Sequence, residues 1–200
     1  MAIDERLIFL RGKHVWLKAL TIHDVEESGW VGWFNDEELC QFNQHHYFPI
    51  TLDTQGKYVE SCVSATRLTL GVVDRANPDM ICGVMSLGDI HPIHRTAELA
   101  AMLDKERTAA NPAIFLEAYT LMLRHGFEQL GLQKIGAGTF RPHVAEALVK
   151  MFNFEKEGVR RRQVFKNNAL RDTTLIGVFH DTVRYPAIPV PASMSPATLP

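Results

Sequence analysis

"AELAAMLDKERTAANPAIFLEAYTLMLRHGFEQLGLQKIGAGTF", running from Ala97 to Phe140, is the stretch whose reading decides the fold. Its first part, "AELAAML" (97–103), reads as a strand, and a helix with all its boundary signals follows. Asn111 is a natural N-cap, and Pro112 suits the first helical position, where a missing N–H loses no intrahelical bond. Apolar Ile114, Leu116, Leu121, Leu123 and Phe127 run along the helix, Glu117 stands one turn in, and Gly131 supplies the stop. "QKIGAGTF" (133–140) is then a further strand. The segment joining the first strand to the helix, Asp104 to Ala110, reads as a loop without a glycine.

Toward the N-terminus, "RLTLGVV" (67–73) and "ICGVMSLGDI" (81–90) are strands separated by the turn "DRANPD". With 97–103 they predict an antiparallel meander. Earlier still, "RGKHVWLKAL" predicts one strand over 12–20. Thr21 with Asp24 is a variant capping box and should open a helix, and "DEELCQFN" predicts a second short one. Pro49 keeps "QHHYFPIT" a loop, after which Thr51 caps a helix through "LDTQGKYVESCVSA". Toward the C-terminus, "RPHVAEALVKMFN" (141–153) predicts a helix, and "GVRRRQVFK" pairs with "DTTLIGVFH" around the turn "NNAL". A helix set between a meander and another strand requires a mixed sheet covered on its faces. The predicted class is therefore α/β (α+β): a mixed, mostly antiparallel central sheet of about seven strands flanked by helices. Residues 1–183 read as one domain, and the Pro/Ala-rich 184–200 as a disordered tail.

With 46% hydrophobic residues in a chain of 200, a single core of ordinary size is expected. A net charge of -2 provides no bulk attraction to nucleic acid or to an anionic membrane, and neither is expected as a partner. Cys40, Cys62 and Cys82 are odd in number and lack CxxC spacing, which fits buried small hydrophobes in a reducing compartment. "MAIDERLIFLRGKH" has no long apolar run, so no signal peptide or membrane span is read, and a cytoplasmic location is expected.

The order of these elements, together with "AELAAMLDKE", "EAYTLMLRHGFEQLGLQKIGAGTF" and "FNFEKEGVRRRQVFKNNALRDTTLIGVF", resembles the GNAT acetyltransferases. Within them it is most similar to the branch of ribosomal-protein N-terminal and amino-sugar nucleotide acetyltransferases. "GWFNDEELCQFNQHHYFPIT" is similar to a stretch near the start of that branch, and the resemblance spans roughly residues 11–182. It implies that the strand 97–103 and the strand after the central helix splay apart, with the pantetheine arm of acetyl-CoA between them and its pyrophosphate on the helix N-terminus. Free N–H groups and the positive end of the helix dipole favour an anion there. The family's loop is Arg or Gln, two residues, Gly, one residue, Gly or Ala. Here Arg107 takes the first place, while Ala110 and Pro112 take the glycine places. In the functional reading, Arg107 and the amides of Thr108, Ala109, Ala110, Asn111 and Ala113 cradle the phosphates. In the competing one, the helix is well capped and the cofactor site is degraded, so that the domain is a non-catalytic ligand-binding or interaction module.

Acetyl transfer to an amine needs a base for the amine, a donor to polarise the thioester, and a proton for the leaving thiolate. Glu98 matches a glutamate position of the family and is the candidate base, with Asp89, His91 and His94 behind it. Backbone N–H groups at Met102 and Leu103 are candidates for the carbonyl. The family's tyrosine acid aligns with Val149, the glycine before the final Phe is Asn153, and His143, where asparagine is usual, is a candidate acid or cofactor contact. Trp33, His45, His46 and Tyr47 are candidates for the acceptor pocket, core packing being the alternative for Trp30 and Trp33. Adjacent histidines without a third spaced ligand do not make a metal site, and no metal is expected. Arg160, Arg161 and Arg162 alternate across a strand, which reads as a solvated face or as a contact to the 3′-phosphate of CoA. The acceptor remains open among an amino-sugar nucleotide, a protein N-terminus and a small amine. A homodimer formed by pairing an exposed strand is a further expectation.

Overall fold

The computed structural model describes residues 3–189. Strands β1 (Ile8–Arg11) and β2 (Val15–Ala19) lead into helices α1 (Ile22–Glu27), α2 (Trp30–Asn35), α3 (Glu37–Cys40) and α4 (Leu52–Glu60). There follow β3 (Val63–Ser64), β4 (Arg67–Asp74), β5 (Ile81–His91), β6 (Thr96–Leu103), α5 (Lys105–Ala110) and α6 (Pro112–Arg124). The chain closes with β7 (Lys134–Thr139), α7 (Pro142–Phe152), β8 (Glu155–Lys166) and β9 (Ala169–Phe179).

Among the described residues the sheet has nine strands rather than about seven, in the order β1-β2-β4-β5-β6-β7-β9-β8, with β3 paired to β4. The strand predicted over 12–20 is β2, and an unpredicted strand, β1, precedes and pairs with it, because the chain reverses at Gly12 to His14. Buried Glu117 on α6 holds that reversal, its carboxylate accepting the N–H groups of Lys13 (2.8 Å), His14 and Val15 (2.7 Å). A β-carbon on Gly12 would lie 2.5 Å from that carboxylate, so only glycine lets it approach.

α6 starts as the caps predict: Asn111 Oδ1 accepts the Ala113 N–H at 3.2 Å, and Pro112 opens the helix. It continues as a π-helical turn from His125 to Gln129 before Gly131, whose φ of 64° suits glycine. The segment before it is not a loop. Asp104 caps α5 by accepting the Arg107 N–H at 2.9 Å, and Lys105–Ala110 form a short helix of their own. Apart from β-branched Thr108, whose hydroxyl donates back to the Asp104 carbonyl, "KERTAA" consists of good helix formers, so absence of glycine there favours a helix over a bare loop.

One core cluster packs α6 and α7 on the sheet, including Leu17, Leu70, Met85, Leu87, Leu99, Ile114, Met122 and Phe152. On the opposite face Leu20, Val25, Trp30, Phe34, Cys62 and Val73 pack with α1 to α4, and Met102 and Trp33 add to them. α1 is fastened by a buried ion pair, Lys18 Nζ to Asp24 Oδ1 at 2.6 Å, and the same carboxylate accepts the Thr21 N–H of the capping box. All three cysteines are buried, and burial pushes the thiols of Cys62 and Cys82 up to about 11. Asn153 ends α7 at φ 62°, the left-handed conformation that asparagine tolerates nearly as well as the glycine it replaces. Past β9, Tyr185 and Ile188 pack against the larger core, and residues 190–200 of the expected tail lie outside the described residues. β8 is the sheet edge, and its ladder to β9 is interrupted between Lys156 and Gly158 and between Arg160 and Val164. Such bulges hinder pairing of an edge with another chain.

Candidate active site

β6 runs parallel to β7 only over Thr96↔Lys134, Ala97↔Ile135 and Glu98↔Gly136. Beyond Glu98, β6 follows β5 to Leu103, whereas β7 follows β9 to Thr139, and the two strands part. A cleft of about 1370 Å³ opens there. It is lined by Leu99, Ala101 and Leu103 from one face of β6 and by Ala100 and Met102 from the other. Side chains on opposite faces of an intact sheet cannot share a cavity, so this one passes through the sheet. On the α6/α7 side its wall is Tyr119, Val144 and Leu148, and on the α1–α4 side Trp30, Trp33, Gln55 and Tyr58.

The hydrogen-bond alternation of β6 fixes which amides face the gap. Asp104 N–H donates to the Cys82 carbonyl at 2.8 Å, and the register Met102↔Val84 continues that ladder. In an antiparallel pair every second residue points its N–H and C=O away from the partner. Leu99, Ala101 and Leu103 therefore turn these groups toward the cleft, while the amide of Met102 is engaged with β5. Of the two candidate carbonyl donors, Leu103 has the orientation and Met102 does not.

Glu98 stands at the vertex, in the last paired register, on the face that Met102 shares with α1–α4. Its carboxylate leans over Gly136, where a β-carbon would sit 2.7 Å from Glu98 Oε1. Burial raises its pKa from the ordinary glutamate value, against Arg160 and Lys134, which lower it, and Asp89 adds to the rise. Its side chain lies beside the cleft wall rather than in it, next to the lining residues Leu99 and Ala100. Of the alternatives, Asp89 sits at φ 48° in the interruption of the β5–β6 ladder, and His91 and His94 are exposed and stacked at 4.1 Å. His143 is exposed in the first turn of α7 and lines the cleft. Val149, at the tyrosine position, packs into the core. A tyrosine is nevertheless present, on α6: Tyr119 is 6% exposed, lines the cleft, and packs on Phe115 (4.4 Å) and Phe152 (5.8 Å). Burial pushes its phenol well above the usual tyrosine value, so it stays protonated. Its position in the apolar pattern of α6 gave no separate signal.

The two halves of acetyl-CoA meet different surroundings. The unpaired edge of β6 from Leu99 to Leu103 fits an extended pantetheine arm, whose amides can pair with it as an added strand would. The cradle expected for the pyrophosphate does not fit in this conformation. Thr108 N–H donates to Asp104 O (3.0 Å) and Asn111 N–H to Arg107 O (2.9 Å), and the amides of Ala109 and Ala110 lie within α5. The Ala113 amide is engaged by Asn111 Oδ1. Arg107, Thr108, Ala109, Ala110, Asn111 and Ala113 do not line the cleft; Asp104, Lys105 and Glu106 do.

Of the acceptor candidates, Trp33 and His45 line the cleft, while His46 and Tyr47 do not. Tyr47 Oη donates to Phe165 O at 2.8 Å and Lys166 Nζ bonds the His45 carbonyl, which docks this loop on the end of β8. His45 packs at 4.2 Å on Phe34, and its pKa is lowered by burial first and by Lys166 second. Arg67, Tyr58, Gln55, Phe42 and Arg141 also line the cleft, and nothing in their spacing marks them in the sequence. Arg160 pairs across the closing hairpin with Thr173, and its charge acts on Glu98. Among the described residues no three His, Cys, Asp or Glu side chains gather as a metal site, and no helix is long and apolar enough to cross a membrane.

This parted sheet, with helices on both faces and a cleft through it, is an acyl-CoA N-acyltransferase architecture. The chain belongs to the GNAT acetyltransferase family: the acetyltransferase (GNAT) domain profile matches residues 14–150. It is 29% identical over 108 residues to the uncharacterized N-acetyltransferase YoaA of Bacillus subtilis (strain 168), an alignment spanning 53% of this chain and 59% of that protein's length. The fold is similar to that of spermidine N-acetyltransferase from Vibrio cholerae in complex with CoA and spermine (TM-score 0.74, 18% identity, 86% of this chain and 98% of that one). It is also similar to ribosomal-protein-S5-alanine acetyltransferase from Vibrio fischeri (TM-score 0.73, 18% identity, 87% and 97%).

Proposed function

We propose that this chain is an acetyl-CoA-dependent N-acetyltransferase that moves an acetyl group directly to a primary amine, with no covalent enzyme intermediate. The observation that carries the reading is the cleft through the sheet, in which donor and acceptor can meet from opposite faces, with Glu98 beside its wall at the vertex. Acetyl-CoA, when bound, supplies the acetyl group as a thioester.

The residues divide the remaining work. Glu98 takes a proton from the ammonium, directly or through a water, and its raised pKa brings it closer to that task than an ordinary carboxylate. The Leu103 N–H, turned to the cleft, donates to the acetyl carbonyl oxygen as charge develops on it. Tyr119 donates a hydrogen bond to the leaving thiolate, and the apolar wall around it keeps water away. Trp33, His45 and Tyr58 hold the acceptor. The similar proteins act, by their names, on spermidine and on the alanine of a ribosomal protein, which supports an amine acceptor without choosing among a protein N-terminus, an amino-sugar nucleotide and a small amine. Reducing conditions suit three buried thiols, and the cytoplasm is the proposed compartment.

Titration calorimetry with acetyl-CoA and with CoA, followed by thiol release in the presence of amines, tests the reading. Micromolar binding and amine-dependent thiol release are expected. No binding at millimolar ligand overturns it in favour of a non-catalytic module, the reading that the engaged amides of α5 would then favour.

A further inference from the structure

The acceptor half of the cleft contains a cation that the chemistry above does not use. Arg141 follows β7 directly, opposite α3 and the loop after it, and lines the cleft with Gln41, Phe42 and Thr139. Its guanidinium lies over the Phe42 ring at 5.1 Å, its Nη2 reaches the Leu39 carbonyl only at 3.5 Å, and its Nε is buried with no partner among the described residues. Among the described residues no carboxylate stands within ion-pair distance of it. Of the two acids on that wall, Glu38 lines the cleft but forms no ion pair with Arg141, and Asp36 is engaged in capping α3 through the Leu39 N–H at 2.8 Å. Arg67, the other arginine of the wall, already has the Tyr58 hydroxyl at 3.2 Å.

A guanidinium keeps its charge in any protein environment and presents planar donors suited to two oxygens at once. Half-buried on an aromatic ring with one long hydrogen bond, it is poorly matched by the protein around it, and burial lowers its pKa for the same reason. A carboxylate or phosphate on the acceptor supplies the missing partner. Glu98 would then receive the amine end of the same molecule on the face shared with α1–α4.

We propose that Arg141 selects acceptors that carry an anionic oxygen group besides the amine, so that the substrate class is an amino acid or an aminated phosphate rather than a polycation. The inference rests on the acetyl-transfer reading, and Arg141 acts in it as a specificity determinant.

The test uses the full chain, acetyl-CoA and matched amine pairs: 5-aminopentanoate against pentylamine, and glucosamine 6-phosphate against glucosamine. For at least one pair the anionic member should have a kcat/KM about ten- to a hundredfold higher, as a charge-assisted bidentate contact would give. Which pair responds distinguishes carboxylate from phosphate. Arg141→Gln should bring the ratio in that pair to about one. If this variant does not fold, Arg141→Lys should still lower the ratio, because it keeps the charge and loses the fork. Equal rates within both pairs, faster turnover of the members without the anionic group, or a ratio that survives the substitution overturns the proposal. If no amine releases CoA thiol, it is the transfer reading that fails; calorimetry of 5-aminopentanoate and glucosamine 6-phosphate with wild type and Arg141→Gln then decides the inference, and binding that does not depend on Arg141 overturns it.

Discussion

The two halves of the cleft are built by different means. The donor half is backbone: a strand edge from Leu99 to Leu103, small residues at Ala100 and Ala101, and the apolar wall of α6 and α7. The acceptor half is side chains brought from distant segments, Trp33 and Tyr58 from helices, His45 and Phe42 from loops, Arg141 from beyond β7. Under the proposed function, the contrast teaches that the sheet fixes the path of the acyl group, while the groups proposed to select the acceptor can change without disturbing it.

The substitution expected to separate the halves most sharply is Glu98→Gln, at their junction. Turnover should fall by about two to four orders of magnitude with little change in acetyl-CoA affinity, as kcat and a binding titration would report. Because the fold raises the Glu98 pKa, its charged form is disfavoured in the folded state, so the same variant should keep or gain thermal stability near neutral pH. With Glu98 as the proposed base, wild-type activity requires its ionised form. The acidic limb of kcat/KM should therefore lie above the pH at which an ordinary glutamate titrates, and an unshifted limb would remove Glu98 from the role of base.

Next in size is the support of the acceptor half. Asp24→Asn leaves Lys18 buried without its counter-charge and should cost about 3–5 kcal/mol in denaturant unfolding, while an apolar replacement of both residues should cost far less. Tyr119→Phe removes only a hydroxyl from a ring packed on Phe115 and Phe152; about a tenfold fall in kcat/KM is expected, with stability unchanged. An unaffected rate would assign the thiolate's hydrogen bond elsewhere, His143 being the exposed alternative. The smallest effect concerns α5. Ala110→Gly weakens this short helix by about 1 kcal/mol, and if α5 must open for the phosphates, acetyl-CoA should bind a few-fold more tightly. Weaker binding would mean that α5 holds the phosphates as a helix.

Much of this was legible because periodicity and caps are local. Asn111, Pro112 and Gly131 bound α6, Thr21 and Thr51 open their helices, and the meander of β4, β5 and β6 lies where alternation puts it. β1 was hidden because "LIFLR" and "HVWLKA" are separated by a reversal whose amides are satisfied by Glu117, more than a hundred residues away. α5 was hidden because a loop was expected from resemblance where "KERTAA" and the Asp104 cap favour a helix. At the site, Glu98 and His143 were marked by residue type at a known place in the element order. Tyr119 and Arg141 were not, since one is buried in an apolar pattern and the other precedes a proline with no motif around it.

The sequence by itself therefore determined the order of elements and the mixed sheet, since backbone propensity, capping and hydrophobic period act between near neighbours, while the place of the parting strands was implied by the family resemblance. Only the tertiary structure decided that the cleft runs through the sheet and which amides face it. It also decided that Tyr119 and not residue 149 lines it and that Arg141 stands there without a carboxylate partner among the described residues. Those facts depend on distances between segments remote in the chain, which no local pattern encodes.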